Sequence, residues 1–439
     1  MRVVYLIAGA GGMYCGSCLR DNRLAAALIA QKRDVVLIPL YTPIRTDETD
    51  VSQSQVYYGG VNVYLQQKSA LFRRLPARLS RWFNAPSLLL WAAKRSGLAE
   101  PVDLGAMTVS ILKAEQGEQR RELDRLIDGL RAMSPDLVVL PNLMFVGLAR
   151  SLKSSLNVPI LCMLSGEDIF LDALPPSHAR QADALIRQRA GDVDAFLGPT
   201  RYFSSLATRR FSLPTDRVHV VNLGVGVDDV GDQADPPAES MTIGYLARIC
   251  PEKGLANLCE AFVALRRAGR SCRLRVAGYL GAEHRPYLEK IMADLRAQGV
   301  ADEVEYLGEV DRAGKLDFLR SLHLFSVPTV YHEAKGLYVL EALACGVPVV
   351  LPAHGSFPEL VQATDGGLLY DPGRLGALAE TLAGLMDDPT LRAQLADRGR
   401  KSVHQSFTDR AMARQAWSIF SRYGSTGQAR SDAVLESPC

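Results

Sequence analysis

A chain of 439 residues exceeds the ~250–300 residues at which a single hydrophobic core stops growing, so two domains are expected. With 48% hydrophobic residues, 22% charged residues and a net charge of +2, the composition is that of a globular protein and excludes a dedicated nucleic-acid partner. Eight scattered cysteines, a strand-like run that begins at Val3, and no apolar run of the ~18 residues a membrane span needs together predict a reduced cytoplasmic protein without signal or anchor.

Short β-branched runs alternate with helical patterns from end to end, the signature of parallel sheets flanked by helices. In the first half, strands are expected at residues 3–8, 34–39, 137–140, 159–163 and 195–197. The first is followed by AGAGGMYCGSC, residues 8–18. As a dinucleotide fingerprint it fails, because the sixth position is Tyr14 and the second strand ends in Pro39 rather than an acid. A glycine turn leading into a helix still presents backbone N–H groups to an anion. Cys15 and Cys18 form a CxxC at that helix start; without a second ligand pair they read as two packed cysteines, with a redox role as the alternative. Between Asp50 and Glu100 there is no acidic residue, while Lys68, Arg73, Arg74, Arg78, Arg81, Lys94 and Arg95 supply seven positive charges among Trp82, Phe83 and Trp91. Such a segment suits an anionic membrane surface or an anionic or lipid-linked acceptor; a helical insertion with solvated arginines is the plainer reading.

The pattern stops in NLGVGVDDVGDQADPPAES, whose Gly, Pro and Asp content is that of a linker. It restarts at MTIGYLARI and continues through CRLRVAGY, EVEYLG, HLFSVPT and VPVVLP. The fold class is therefore α/β, two doubly wound Rossmann-like domains facing a cleft. The expected organisation is residues 1–225, a linker 226–240, a second domain 241–407, a C-terminal helix 408–424 returning toward the first domain, and a disordered tail 425–439. Arg248 and Lys253 stand just after the first strand of domain two, where a fork and a point charge suit a diphosphate. GEVDRAGK imitates a phosphate loop but has one residue too many between its glycines and leucine after its lysine, so that reading is rejected.

In TVYHEAKGLYVLEALACGVPVV, Glu333 and Glu341 are eight residues apart. On one helix they would be about 12 Å apart, beyond the ~5–9.5 Å of paired hydrolase carboxylates. The run from Gly336 to Gly346 is apolar on every side, with Glu341 its only charge. A buried glutamate needs a donor, from the protein or from a ligand. No Asp or His has metal-ligand spacing with Glu341, so no metal is expected.

The Glu-x7-Glu of EAKGLYVLE, the following ALACGVPVV and the segment ARICPEKGL resemble a family 4 glycosyltransferase of the GT-B fold over nearly the whole chain. The resemblance implies a retaining, metal-free enzyme with no cofactor, whose partners are a nucleotide-diphosphate sugar donor and an unknown acceptor, a glycan or a lipid-linked one. It implies that Glu341 takes the ribose hydroxyls and Glu333 contacts the donor sugar. Arg248 and Lys253 neutralise the diphosphate, Gly336 and Leu337 offer it backbone N–H groups, and Gly11 and Gly12 match the glycine loop of the acceptor domain. The catalytic candidates are thus Glu333, Arg248 and Lys253. The family often places a histidine where this chain has Ser165; Glu167 or Asp168 could substitute. An epimerase or phosphorylase on the same fold, or a non-catalytic nucleotide-sugar-binding module, are the alternatives. Localisation is expected to be cytoplasmic, with peripheral contact at the inner membrane face through the basic segment.

Overall fold

The computed structural model describes residues 1–9, 15–68, 101–231 and 241–435. The chain divides into two compact units, residues 1–222 with 412–439, and Leu223–Ala411. Each is built on a six-stranded parallel sheet flanked by helices, a doubly wound fold. Strands covered on both faces read as continuous apolar runs, which is why LVVL, ILCM and VVLP are buried at every position.

In the first unit the strands are β1 (Arg2–Ile7), β2 (Asp34–Pro39), β3 (Leu137–Leu140), β4 (Ile160–Met163), β5 (Ala195–Gly198) and β6 (Val218–Val220), in the order β2-β1-β3-β4-β5-β6. The helix Arg120–Met133 shows how the sequence directs the packing. Leu123, Leu126, Ile127 and Leu130 recur at helical spacing and are buried, while its arginines and aspartates take the other side. The helix Gly16–Ala30 departs from that pattern. It buries Arg20, Asp21, Asn22 and Arg23 in succession, each with a polar partner.

In the second unit the strands are β7 (Met241–Leu246), β8 (Cys272–Ala277), β9 (Val304–Gly308), β10 (Leu324–Phe325), β11 (Val349–Pro352) and β12 (Gly367–Tyr370), in the order β12-β11-β10-β7-β8-β9. The order reverses between β7 and β10 here, and between β1 and β3 in the first sheet. Ligands of open parallel sheets bind beyond the carboxyl ends of the strands at such reversals. The segments after β7 and β10 carry Arg248, Lys253 and Glu333; the segment after β1 carries the glycines and the CxxC.

Four features differ from the sequence expectation. Strands β6 and β12 were not anticipated: VHV is three half-buried residues and GLLY begins with glycine, too short and mixed for a periodic signal. Residues 223–231 belong to the second unit rather than to a linker. Val225 exchanges backbone hydrogen bonds with Phe407 and Asp409, and Asp229 grips the Arg312 guanidinium at 2.6 and 2.8 Å, so the glycines and aspartates serve contacts within the unit. The last helix runs Asp409–Leu435, so residues 425–435 are helical rather than disordered. Met412, Ala413, Ala416 and Phe420 anchor that helix in the core of the first unit, and elongation of an existing helix adds one hydrogen bond per residue. Among the described residues no helix is long and apolar enough to cross a membrane. The expected basic segment from Arg73 to Arg95 lies outside the described residues, as do Gly11 and Gly12.

Candidate functional site

Two segments meet beyond the carboxyl ends of β7 and β10. After β7 the chain passes exposed Arg248, makes a short 3-10 turn at Pro251–Lys253 and enters the helix Leu255–Arg267 through Gly254. Gly254 has a φ of +72°, and a Cβ there would sit 1.8 Å from the Pro328 carbonyl oxygen. Only glycine lets these segments approach so closely. A hydrogen bond from Val330 N–H to the Glu252 carbonyl, 2.9 Å, joins them further along.

The approach brings Lys253 to Glu333. The ammonium donates to Glu333 Oε2 at 2.6 Å, and the Tyr331 and Tyr338 hydroxyls donate to the same oxygen at 2.8 Å each. Oε1 accepts the backbone N–H groups of Ala334 and Lys335 at 3.1 and 3.2 Å. Burial alone would raise this carboxyl, which is 4% exposed, but the Lys253 charge and these donors hold it down to about 2. Lys253 also lies 5.0 Å from the ring centroids of both Tyr331 and Tyr338. The Glu333 backbone is fixed as well, since its carbonyl accepts from Ser356 N–H at 2.7 Å. Three residues on, Gly336 takes a φ of +81° and opens the helix Leu337–Ala344 without a side-chain cap. The first turn thus directs backbone N–H groups outward at the positive end of the helix dipole.

Glu341 sits one turn further in, 7% exposed, and its partner is a protein group. Lys315, itself 5% exposed, donates to Glu341 Oε1 at 2.8 Å, and an Arg312 nitrogen stands 4.0 Å from the same oxygen. Lys315 is the lysine of GEVDRAGK. That motif gave no hint of the pairing between this lysine and the Glu341 carboxylate. The helix Arg312–Arg320 is capped by Asp311, whose side chain accepts from Gly314 N–H at 2.8 Å, and it buries Leu316, Phe318 and Leu319. Lys315 lies three and four residues before Phe318 and Leu319, on their face, and that spacing was the available signal. The tyrosines beside Glu333 carried no comparable signal.

In the first unit, Ser165 is locked into the backbone. It accepts from the Arg20 guanidinium at 2.9 Å and donates to the Pro141 carbonyl at 3.1 Å. Arg20 is 1% exposed, pairs with Asp21 at 2.7 Å and also donates to the Leu164 carbonyl. Glu167 is committed too, accepting the N–H groups of Leu143 and Ser165 at 2.9 and 3.0 Å. Asp168 differs. Its Oδ1 is buried and accepts no hydrogen bond, and burial, with Asp172 adding a like charge, raises its carboxyl above the ordinary value.

Residues 231–402 match the family model described as glycosyl transferases group 1. The second unit is a group 1 glycosyl transferase domain. Among relatives, the D-inositol 3-phosphate glycosyltransferase of Xylanimonas cellulosilytica is 31% identical over 235 residues, covering 50% of this chain and 55% of the relative. The phosphatidyl-myo-inositol mannosyltransferase of Mycobacterium leprae is 28% identical over 200 residues, covering 44% and 50%. The chain thus spans about half the length of these curated relatives. HepE of Anabaena, solved in complex with UDP, superposes with a TM-score of 0.67 at 16% identity, over 96% of this chain and all of that one. The GT-B architecture of the transferase domain and its companion is shared with such structures.

Proposed function

We propose that the protein is a retaining glycosyltransferase that moves a sugar from a nucleoside diphosphate to a hydroxyl acceptor without metal or cofactor. The observation that carries this reading is the grouping at the β7/β10 reversal: Arg248 and Lys253, a helix opening at Gly336 with outward N–H groups, and carboxylates before and within that helix. Phosphate oxygens meet Arg248, Lys253 and the N–H groups of Gly336 and Leu337, the ribose hydroxyls donate to Glu341, and Glu333 faces the donor sugar. The names of the relatives and the UDP held by HepE support a nucleotide-linked donor.

In the reaction so read, the acceptor oxygen forms a bond to the anomeric carbon while the bond from that carbon to the diphosphate oxygen breaks. The acceptor proton passes to the departing diphosphate. The sugar resembles an oxocarbenium ion at the barrier and negative charge grows on the leaving group, where fixed cations and N–H dipoles stabilise it most. Lys315 holds Glu341 in place for this role. On the acceptor side, Asp168 is the carboxylate available to meet a hydroxyl, since Ser165 and Glu167 are committed elsewhere. From its sequence, the basic segment around Arg73, Arg74, Arg78 and Arg81 supports a glycan or lipid-linked acceptor and cytoplasmic, peripheral contact with an anionic membrane.

Incubation with UDP- and GDP-linked hexoses tests the proposal. Release of nucleoside diphosphate with sugar transferred or hydrolysed supports it. A 2-epimer product would establish an epimerase, and binding without turnover a binding module.

A further inference from the structure

We infer that Cys15 and Cys18 are a reversible disulfide site, with Cys15 the attacking sulfur and Cys18 the resolving one. Cys15 occupies the N-cap of the helix Gly16–Ala30 and is half-buried, whereas Cys18 is 2% exposed in its first turn. No side chain caps the helix, and the first turn holds no acidic residue that would compete for its N–H groups. Cys15 therefore stands at the positive end of the helix dipole, the setting in which thiolate chemistry is favoured. Cys15 packs against the core cluster that contains Cys18, and its carbonyl accepts from Leu19 N–H at 2.9 Å, so a single helical turn separates the two residues. Positions three apart across a helical turn place their Cα atoms about 5 Å from each other, inside the span a disulfide requires.

The environment assigns each sulfur its part. The hydrogen bond to Cys15, burial and the Asp21 carboxylate below it keep the Cys18 thiol protonated, its pKa pushed well above the ordinary value. The pair lies in the segment that follows β1, at the point where the strand order reverses. The other described cysteines, Cys162, Cys250, Cys259, Cys272 and Cys345, are all buried, and burial raises each of their thiols. With a peroxide as oxidant, Cys15 gives up its proton and the thiolate attacks one peroxide oxygen; the O–O bond breaks, the hydroxide that leaves takes up that proton as water, and Cys15 becomes the sulfenic acid. Cys18 sulfur then attacks Cys15 sulfur. The S–S bond forms, and the departing hydroxide takes the Cys18 proton as a second water. A small dithiol reverses the reaction through a mixed disulfide.

The experiment uses the full chain and is independent of the transferase reading. Protein is treated with hydrogen peroxide, denatured, alkylated with maleimide and digested with trypsin. Cleavage after Arg2 and Arg20 leaves both thiols in one peptide, residues 3–20. The expected product is that peptide lighter by two hydrogens and unlabelled, returning to two labels after dithiothreitol. In Cys18→Ser the sulfenic acid persists on Cys15 and a dimedone probe marks it; in Cys15→Ser, Cys18 stays unmarked. Two maleimide labels on the peptide from oxidised parent protein, a disulfide to any other cysteine, or dimedone on Cys18 in Cys15→Ser would each overturn the inference. Should a variant fail to fold, the parent map decides alone.

Discussion

Replacing Glu333 by glutamine keeps the side-chain volume and removes the charge. The amide offers one acceptor oxygen where the carboxylate offers two. One side, either Lys253 with the two tyrosine hydroxyls or the Ala334 and Lys335 N–H groups, must then face an NH2 group. Holding the carboxyl at about 2, from an ordinary 4.5, corresponds to about 3 kcal/mol of favourable interaction with the ionised form. Breaking one side of a buried pair costs about 3–5 kcal/mol, so two independent routes agree. For a domain of this size about 3 kcal/mol lowers Tm by roughly 6–12 °C. Because the folded-state pKa is depressed, the contribution is complete above about pH 4.5 and is lost as pH falls toward 2. Calorimetry on parent and Glu333→Gln from pH 7 down to pH 3 is the assay. The gap between them should narrow below pH 4.5, and Lys253→Met combined with Glu333→Gln should cost less than the two single changes summed. An unchanged Tm for Glu333→Gln at pH 7 would refute the reasoning.

Glu341→Ala should weaken nucleotide affinity by about 10- to 150-fold, the loss of hydrogen bonds worth about 1.5–3 kcal/mol, and should also cost stability by leaving Lys315 buried without its carboxylate. Calorimetric titration that finds lost stability but unaltered affinity would make Glu341 purely structural. Arg248→Ala, at an exposed position, should lower kcat more than it raises the dissociation constant of the nucleotide, as steady-state kinetics would show. Asp168→Asn should raise Tm at pH 7, because the carboxyl has a raised pKa, is disfavoured in its ionised form above it, and loses that penalty as an amide; a fall in Tm would contradict the burial account. A chelator should leave turnover intact, and dependence on added Mg²⁺ or Mn²⁺ would count against metal-free catalysis.

The strands were legible wherever apolar β-branched runs stood between glycine and proline signals, as in VVYLI and VPVVLP. Strands of three or four mixed residues were not. The apolar run from Gly336 to Gly346 marked Glu341 as a buried glutamate in need of a donor, and the structure has it buried in the helix Leu337–Ala344 with Lys315 as donor. What enclosed the two carboxylates was not legible. Lys315 reaches Glu341 from 26 residues away, and Lys253 reaches Glu333 from 80, through close backbone approaches that no local pattern encodes. The run Arg20 to Arg23 reads as a solvated charged stripe. It is buried because each group finds a partner on a distant loop: Arg20 on Leu164 and Ser165, Asn22 on Thr49, Arg23 on Glu48. Linker composition misled for the same reason, since Asp229 and the carbonyl of Val230 are committed to Arg312 and Arg320.

The central claim is that the second unit holds a nucleoside diphosphate through its two carboxylates, its cations and the helix opening at Gly336. Isothermal titration of UDP and GDP into the full chain and into Glu341→Ala tests it most directly. The account predicts saturable one-site binding of at least one of them by the parent, exothermic and weakened at least tenfold in the variant at a temperature where both proteins are fully folded. No binding of either nucleotide to the folded parent, or equal affinity in both proteins, would contradict it.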